Sequence, residues 1–272
     1  MGYILSMGVG SKSVMGTDYV HVTELAGDDV SREQVERMYS RYDFARQYCS
    51  GKDVIEIGCG SGQGLGYLAG VAGRTVGGDL SEPLLSMAGS HYKGRIPLVR
   101  LDAHALPFRD HCSDVVILFE AVYYLAKPEE FVRECTRVLR PKGTLIMCSA
   151  NKDLPDFNPS PHSHNYFSPP QFAELLRPYG FDVQCLGDCE VDYGSLRQKV
   201  FSFVKKTMVR WNLMPKTMAG KKIFKRIVFG KLVAMPAELT NEHGSCPLPT
   251  GIDATIPDRR HKVIFVVGRK DV

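Results

Sequence analysis

Short apolar runs alternate along the chain with stretches in which apolar residues recur every three or four positions, and this repeat predicts an open α/β sheet wound from β-helix-β units. The strand runs are 53–57, 75–79, 98–102, 114–119, 143–149, 181–186 and 262–267, with helical spacing at 62–72, 82–90, 128–139 and 169–178. Punctuation agrees with these bounds. Ser81 stands as an N-cap ahead of Glu82 and Pro83, Pro141 lies beyond Leu139, and Gly180 stops the last helix. A further helix is expected over 31–49, where Val35, Met38, Tyr42 and Ala45 share a face behind a serine cap, and it should lie against the ligand mouth. The expected architecture is Rossmann-like: a seven-stranded, mostly parallel sheet with helices on both faces and a basic helical insertion before the last strand. In domain terms, 1–50 forms a helical cap, 51–186 the core, 187–261 the insertion or lid, and 262–272 the last strand of the core.

Charge changes this picture at one place. The formal net charge is +4, yet residues 193–236 hold eleven Lys and Arg and no acid, so the remainder of the chain is net acidic. Two basic amphipathic stretches, 196–213 and 219–235, flank Met214-Pro215, and 242–258, rich in Pro and Gly, reads as an irregular loop. The first stretch sets Leu196, Val200, Phe203 and Trp211 against Lys199, Lys205, Lys206 and Arg210. Either it is a lid packed on the sheet, or 196–235 meets an anionic lipid or membrane surface. Nucleic acid is not favoured, since basic and aromatic residues are not interleaved as an RNA-binding module needs.

With 272 residues, 44% of them apolar, the chain can bury a sizeable core. Residues 1–7 lack the basic region and cleavage site of a signal peptide and no window reaches the length of a membrane span, so the expected location is the cytoplasm, with a peripheral membrane contact through the basic stretch. Eight cysteines contain no C-x-x-C pair and read as reduced thiols. Only Cys59 is expected near a ligand.

The candidate chemistry starts where the 53–57 strand empties into Gly58, Gly60 and Gly62, with Glu56 just before them and Asp79 and Asp102 ending the next two apolar runs. Ligands of open α/β sheets sit at the carboxyl ends of strands, and glycines let backbone approach them. A dinucleotide turn would need a third glycine where Gln63 or Leu65 stands. Glu56 would repel a pyrophosphate but suits a cofactor with a cationic amino acid end.

At this point the chain resembles the class I S-adenosylmethionine-dependent methyltransferases with a type 11-like domain. Five ordered blocks carry the likeness: Val54-Ile-Glu-Ile-Gly-Cys-Gly-Ser-Gly62, Gly77-Gly-Asp-Leu-Ser81, Leu101-Asp-Ala-His-Ala-Leu-Pro-Phe108, Asp114-Val-Val-Ile-Leu-Phe-Glu-Ala-Val-Tyr-Tyr-Leu125 and Glu134-Cys-Thr-Arg-Val-Leu-Arg-Pro-Lys-Gly143. The resemblance implies S-adenosyl-L-methionine as cofactor. Gly58, Gly60 and Gly62 would line its methionine and ribose side, with Glu56 and Cys59 in the same set. Asp79, followed by Leu80, would accept both ribose hydroxyls, Asp102 the adenine amino group, and Ala103 would offer its N–H to the ring. Glu120 would lie beside the methionine part and the transferred methyl.

Related sequences often place a histidine shortly after that acid, where this chain has Tyr123-Tyr124. A proton acceptor must then come from elsewhere, and the candidates are Tyr124 with His162, His164 and Tyr166 of the segment Pro161-His-Ser-His-Asn-Tyr-Phe-Ser-Pro169. His162 and His164 have no acidic or thiol neighbour in sequence, so no metal is expected there. The expected acceptor is a small molecule, methylated at an oxygen of a sugar, glycolipid or other metabolite. Ser40-Arg-Tyr-Asp-Phe-Ala-Arg-Gln-Tyr48, similar to methyltransferases of bacterial glycan and lipopolysaccharide assembly, points the same way. Two alternatives stand beside it: an NAD(P)-dependent oxidoreductase on the same kind of fold, and a non-catalytic methyltransferase-fold protein that binds an anionic surface.

Overall fold

The computed structural model describes residues 19–191, 232–244 and 247–271. In chain order its elements are β1 (Asp29–Ser31), α1 (Arg32–Cys49), β2 (Asp53–Ile57), α2 (Leu65–Ala69), β3 (Arg74–Asp79), α3 (Glu82–Tyr92), β4 (Leu98–Arg100), β5 (Ser113–Phe119), α4 (Pro128–Val138), β6 (Leu139–Ala150), α5 (Pro169–Leu176), β7 (Phe181–Glu190), β8 (Leu232–Ala234), β9 (Thr250–Ile252) and β10 (His261–Lys270). The main sheet has the order β4-β3-β2-β5-β6-β10-β7-β9. Pairings from β4 to β6 are parallel, while β10 runs antiparallel to both β6 and β7.

Central strands are buried on both faces, which is why they read as unbroken apolar runs. Ile55, Ile57, Val116 and Leu118 point into a core shared with Phe131 and Val132 of α4 and Phe172 and Leu176 of α5. Their neighbours Val54, Val115 and Ile117 point the other way, against Val35, Phe44 and Ala45 of α1. Alternation along each strand thus places helices on both faces. Ser31 caps α1 by accepting from the Gln34 N–H, and Gln34 returns a bond to the Ser31 N–H.

Several sequence expectations are corrected. Among the described residues the sheet has eight strands, because β9 adds to the free edge of β7 inside the segment expected to be an irregular loop, with Ile252 packed on the core. β8 pairs with β1 in a separate two-stranded ribbon. The helix expected over 62–72 is only α2, since the glycine turn continues to Gly64, and Gly66 and Gly70 lower the helical preference of the residues beyond it. Ser81 holds the N-cap position of α3 without a side-chain bond, and Asp79 receives its N–H instead. The basic stretch around 196–231 lies outside the described residues.

Candidate active site

The carboxyl ends of β2, β3 and β5 share one edge of the sheet, and the glycine turn leaves β2 there. Gly60 (φ +57°) and Gly62 (φ +87°) both take left-handed backbone. At Gly62 a side chain is doubly excluded, because a Cβ would sit 2.9 Å from the Tyr92 ring. Tyr92 also braces the turn, donating to the Gly62 carbonyl (2.6 Å) and accepting from the Gly66 N–H (2.9 Å).

Asp79 ends β3 directly beside this turn and is 8% exposed. Its Oδ2 accepts the Gly60 N–H (2.9 Å) and its Oδ1 the Ser81 N–H (2.8 Å). Burial raises its pKa above the ordinary carboxylate value, against the pull of these backbone bonds. The carboxylate is thereby oriented, and each oxygen keeps capacity for a second donor.

Beneath the turn lies Glu56, 1% exposed. Tyr42 of α1 donates its hydroxyl to Glu56 Oε1 at 2.6 Å, while Oε2 is buried and has no partner among the described residues. Burial, reinforced by the charge of Asp79 and opposed by the Tyr42 bond, pushes the Glu56 carboxyl up to about 7. Cys59 is buried beside both acids, and burial followed by their charge keeps its thiol protonated far above the ordinary range.

Asp102 sits differently. Its side chain is 46% exposed and is taken by His104, whose backbone N–H (2.9 Å) and Nδ1 (2.7 Å) both meet Oδ1. Ala103 is half-buried and Leu80 is exposed.

Glu120 follows β5 with φ +50°, a conformation uncommon for a residue with a side chain. Its carboxylate collects Arg41 (3.2 Å), the Tyr123 hydroxyl (3.1 Å) and the Ala150 N–H (3.3 Å). Burial works against the Arg41 guanidinium, but Glu120 beside it holds it above the ordinary arginine range. Tyr123 in turn stacks on Tyr166, with centroids 4.3 Å apart. Ser160 joins the two tyrosine candidates: its Oγ lies 2.6 Å from the Tyr124 hydroxyl, and its N–H donates to Tyr166 (2.9 Å). His162 and His164 are exposed, and the described contact of His164 with this cluster is its N–H on the Tyr123 carbonyl (2.7 Å).

So the structure gathers Glu56, Cys59, the glycines and Asp79 at one place, and Glu120, Tyr124 and Tyr166 next to it. It also adds residues that the sequence reading did not assign to the site: Arg41, Tyr42 and Tyr123. Tyr42 was legible only as an apolar-face position of a helix, and its pairing with Glu56 spans 14 residues of chain. Gln63, where a dinucleotide turn would carry glycine, clasps two covering segments instead, donating to the Glu24 carbonyl (2.6 Å) and accepting from the Leu239 N–H (2.8 Å).

A cofactor with a diol and an ammonium fits these residues. An oriented, buried aspartate matches the diol, and the unpaired Glu56 oxygen calls for a cationic donor. The comparisons agree. Residues 55–147 match a family model described as a methyltransferase domain. A probable S-adenosylmethionine-dependent methyltransferase of Mycolicibacterium smegmatis is 34% identical over 53% of this chain and 57% of its own length. Over residues 55–147 the chain is similar to the methyltransferase domains of S-adenosylmethionine-dependent enzymes.

The domain's relatives include the ubiquinone biosynthesis O-methyltransferase of Sinorhizobium medicae, 29% identical over 45% of this chain and 51% of that protein. In fold the chain is similar to an S-adenosylmethionine-dependent methyltransferase structure from Archaeoglobus fulgidus, with TM-score 0.53, 19% identity, and coverage of 88% of this chain and 95% of that one. The matched stretch spans 57% to 38% of the first curated relatives' length. Among the described residues, no His, Cys, Asp and Glu group is arranged to hold a metal ion, and no helix is long and apolar enough to cross a membrane.

Proposed function

We propose that the chain is an S-adenosylmethionine-dependent methyltransferase whose acceptor is a small molecule, methylated at an oxygen of a sugar, glycolipid or other metabolite. The observation that carries the reading is the buried carboxylate pair, Asp79 and Glu56, on either side of the left-handed glycine turn within the matched domain. When bound, the cofactor supplies a methyl already activated by its sulfonium.

The protein's part is to bind and to orient. Asp79 accepts the ribose hydroxyls without moving, because Gly60 and Ser81 already fix it. Asp102, with Ala103, receives the adenine edge from the exposed loop after β4, and Leu80 covers the ring. Glu120, fixed by Arg41 and Tyr123, forms the wall between cofactor and acceptor. Tyr124 and Tyr166 face the acceptor through Ser160, and His162 and His164 approach it from the solvent side as proton acceptors. In this reading 51–186 is the cofactor core, and the positive charge of the sequence at 196–235 suits an acceptor carried on an anionic lipid. The O-methyltransferase among the relatives supports oxygen as the attacking atom.

Calorimetric titration with S-adenosylhomocysteine tests the reading. Asp79→Ala should weaken binding by at least about tenfold, the equivalent of one lost charge-assisted hydrogen bond. Unchanged affinity in that variant removes the assignment. Incubation with labelled cofactor and fractionated extract then identifies the acceptor class.

A further inference from the structure

Among the described residues, Oε2 of Glu56 has no hydrogen-bond partner. Glu56 Oε1 is held by the Tyr42 hydroxyl at 2.6 Å, but Oε2 is enclosed and unbonded. Among the described residues the groups around it supply no cation: Tyr42 and Cys49 face it from α1, Cys59 from the turn, Asp79 from β3 and Tyr92 from α3. Burial raises the pKa of each phenol and thiol in this set, which keeps them neutral, and Asp79 adds a like charge. Arg41, next to Tyr42 in sequence, directs its guanidinium to Glu120 instead. A carboxyl so placed is stable when protonated and becomes a good carboxylate only when a cation arrives.

We propose that cofactor binding discharges a proton from Glu56: the ammonium of the ligand takes the place of the acidic hydrogen, and Tyr42 is the positioning residue that occupies one oxygen and turns the other toward the ligand. The inference rests on the function proposed above. In the step, the O–H bond of the neutral carboxyl breaks, the proton passes to solvent, and an ammonium–carboxylate contact forms with the ligand's own charge unchanged. The sign follows from linkage. With the free carboxyl near 7 and the bound one lower, affinity rises with pH through neutrality and levels off above it.

The test is titration of the whole chain with S-adenosylhomocysteine in buffers of different ionisation enthalpy. Release should be close to one proton at about pH 6 and near none at about pH 8, with affinity about tenfold higher at the upper value. Glu56→Gln should bind with no proton release and no such pH dependence. Tyr42→Phe should shift the release to higher pH, because the hydroxyl bond that favours the carboxylate is gone; a residue that only fills space would leave the midpoint alone. An S-adenosylhomocysteine analogue without the amino group should bind the natural chain without releasing a proton, which decides the matter if Glu56→Gln does not fold. Tight binding that is flat in pH, or release that persists in Glu56→Gln, overturns the proposal and leaves the cofactor assignment standing. Absence of binding at every pH removes both.

Discussion

Gly64 carries no side chain because Tyr42 already fills the space: a Cβ there would lie 1.9 Å from the phenol ring. Gly64→Ala should therefore displace Tyr42 from Glu56 rather than merely crowd a surface. The expected cost is about 1–3 kcal/mol, by analogy with other overpacked interiors, read as a lower urea midpoint. Cofactor affinity should fall with it, although Gly64 itself has no assigned ligand contact. At this scale the sequence revealed the acids at strand ends, because a carboxylate after an apolar run beside a glycine turn has few structural uses. Arg41 and Tyr42 were not legible in the same way. Their partners Glu120 and Glu56 come from other strands, and only the docking of α1 on the sheet brings them together. Asp102 was legible as a residue but not in its local setting, since the neighbouring His104 takes its oxygen through a short-range turn.

Between elements, a clasp crosses the glycine turn. Glu238 reaches His91 Nε2 (2.7 Å) and Arg95 Nη2 (2.5 Å) on and just beyond α3, Gln63 ties Glu24 to Leu239, and Gly27 and Asp28 exchange backbone bonds with Met235. Each ion pair is partly exposed, so each alone contributes little. Together they hold two distant chain segments over the glycine turn. Glu238→Ala should speed dissociation of S-adenosylhomocysteine a few-fold in stopped-flow traces, while salt at about 1 M should erase much of the difference from the natural chain. An unchanged off-rate would show that the clasp is only structural. None of this was readable from periodicity. β1, β8 and β9 have three residues each, too few to display alternation, and their existence is decided by the strand each one meets. Long strands and α1 were legible because burial imposes its period on many residues at once.

Across the whole molecule, the sheet has a chemical edge and a mechanical one. At the edge away from the glycine turn, Arg140 of β6 bridges Asp53 of β2 (2.7 Å) and Asp114 of β5 (2.8 Å). About a third of each side chain is exposed, so Arg140→Met should cost only about 1 kcal/mol, seen in the urea midpoint. Cofactor affinity should not change, in contrast to the Gly64 variant, because the bridge lies at the opposite ends of the strands. The parallel order was legible from the alternation of runs and helices, but the place of the last strand was not: no local pattern says that β10 enters between β6 and β7.

That placement matters while the chain is being made. β10 zips along nearly its whole length to both neighbours, from Val263–Ala150 to Arg269–Thr144 on one side and from His261–Glu190 to Lys270–Phe181 on the other. Before the ribosome has released it, β6 and β7 present two long, unpaired, apolar ladders toward an empty slot. A nascent polypeptide stalled just short of residue 261 should therefore lean on chaperones or self-associate, even with its β4-β3-β2-β5 half already assembled.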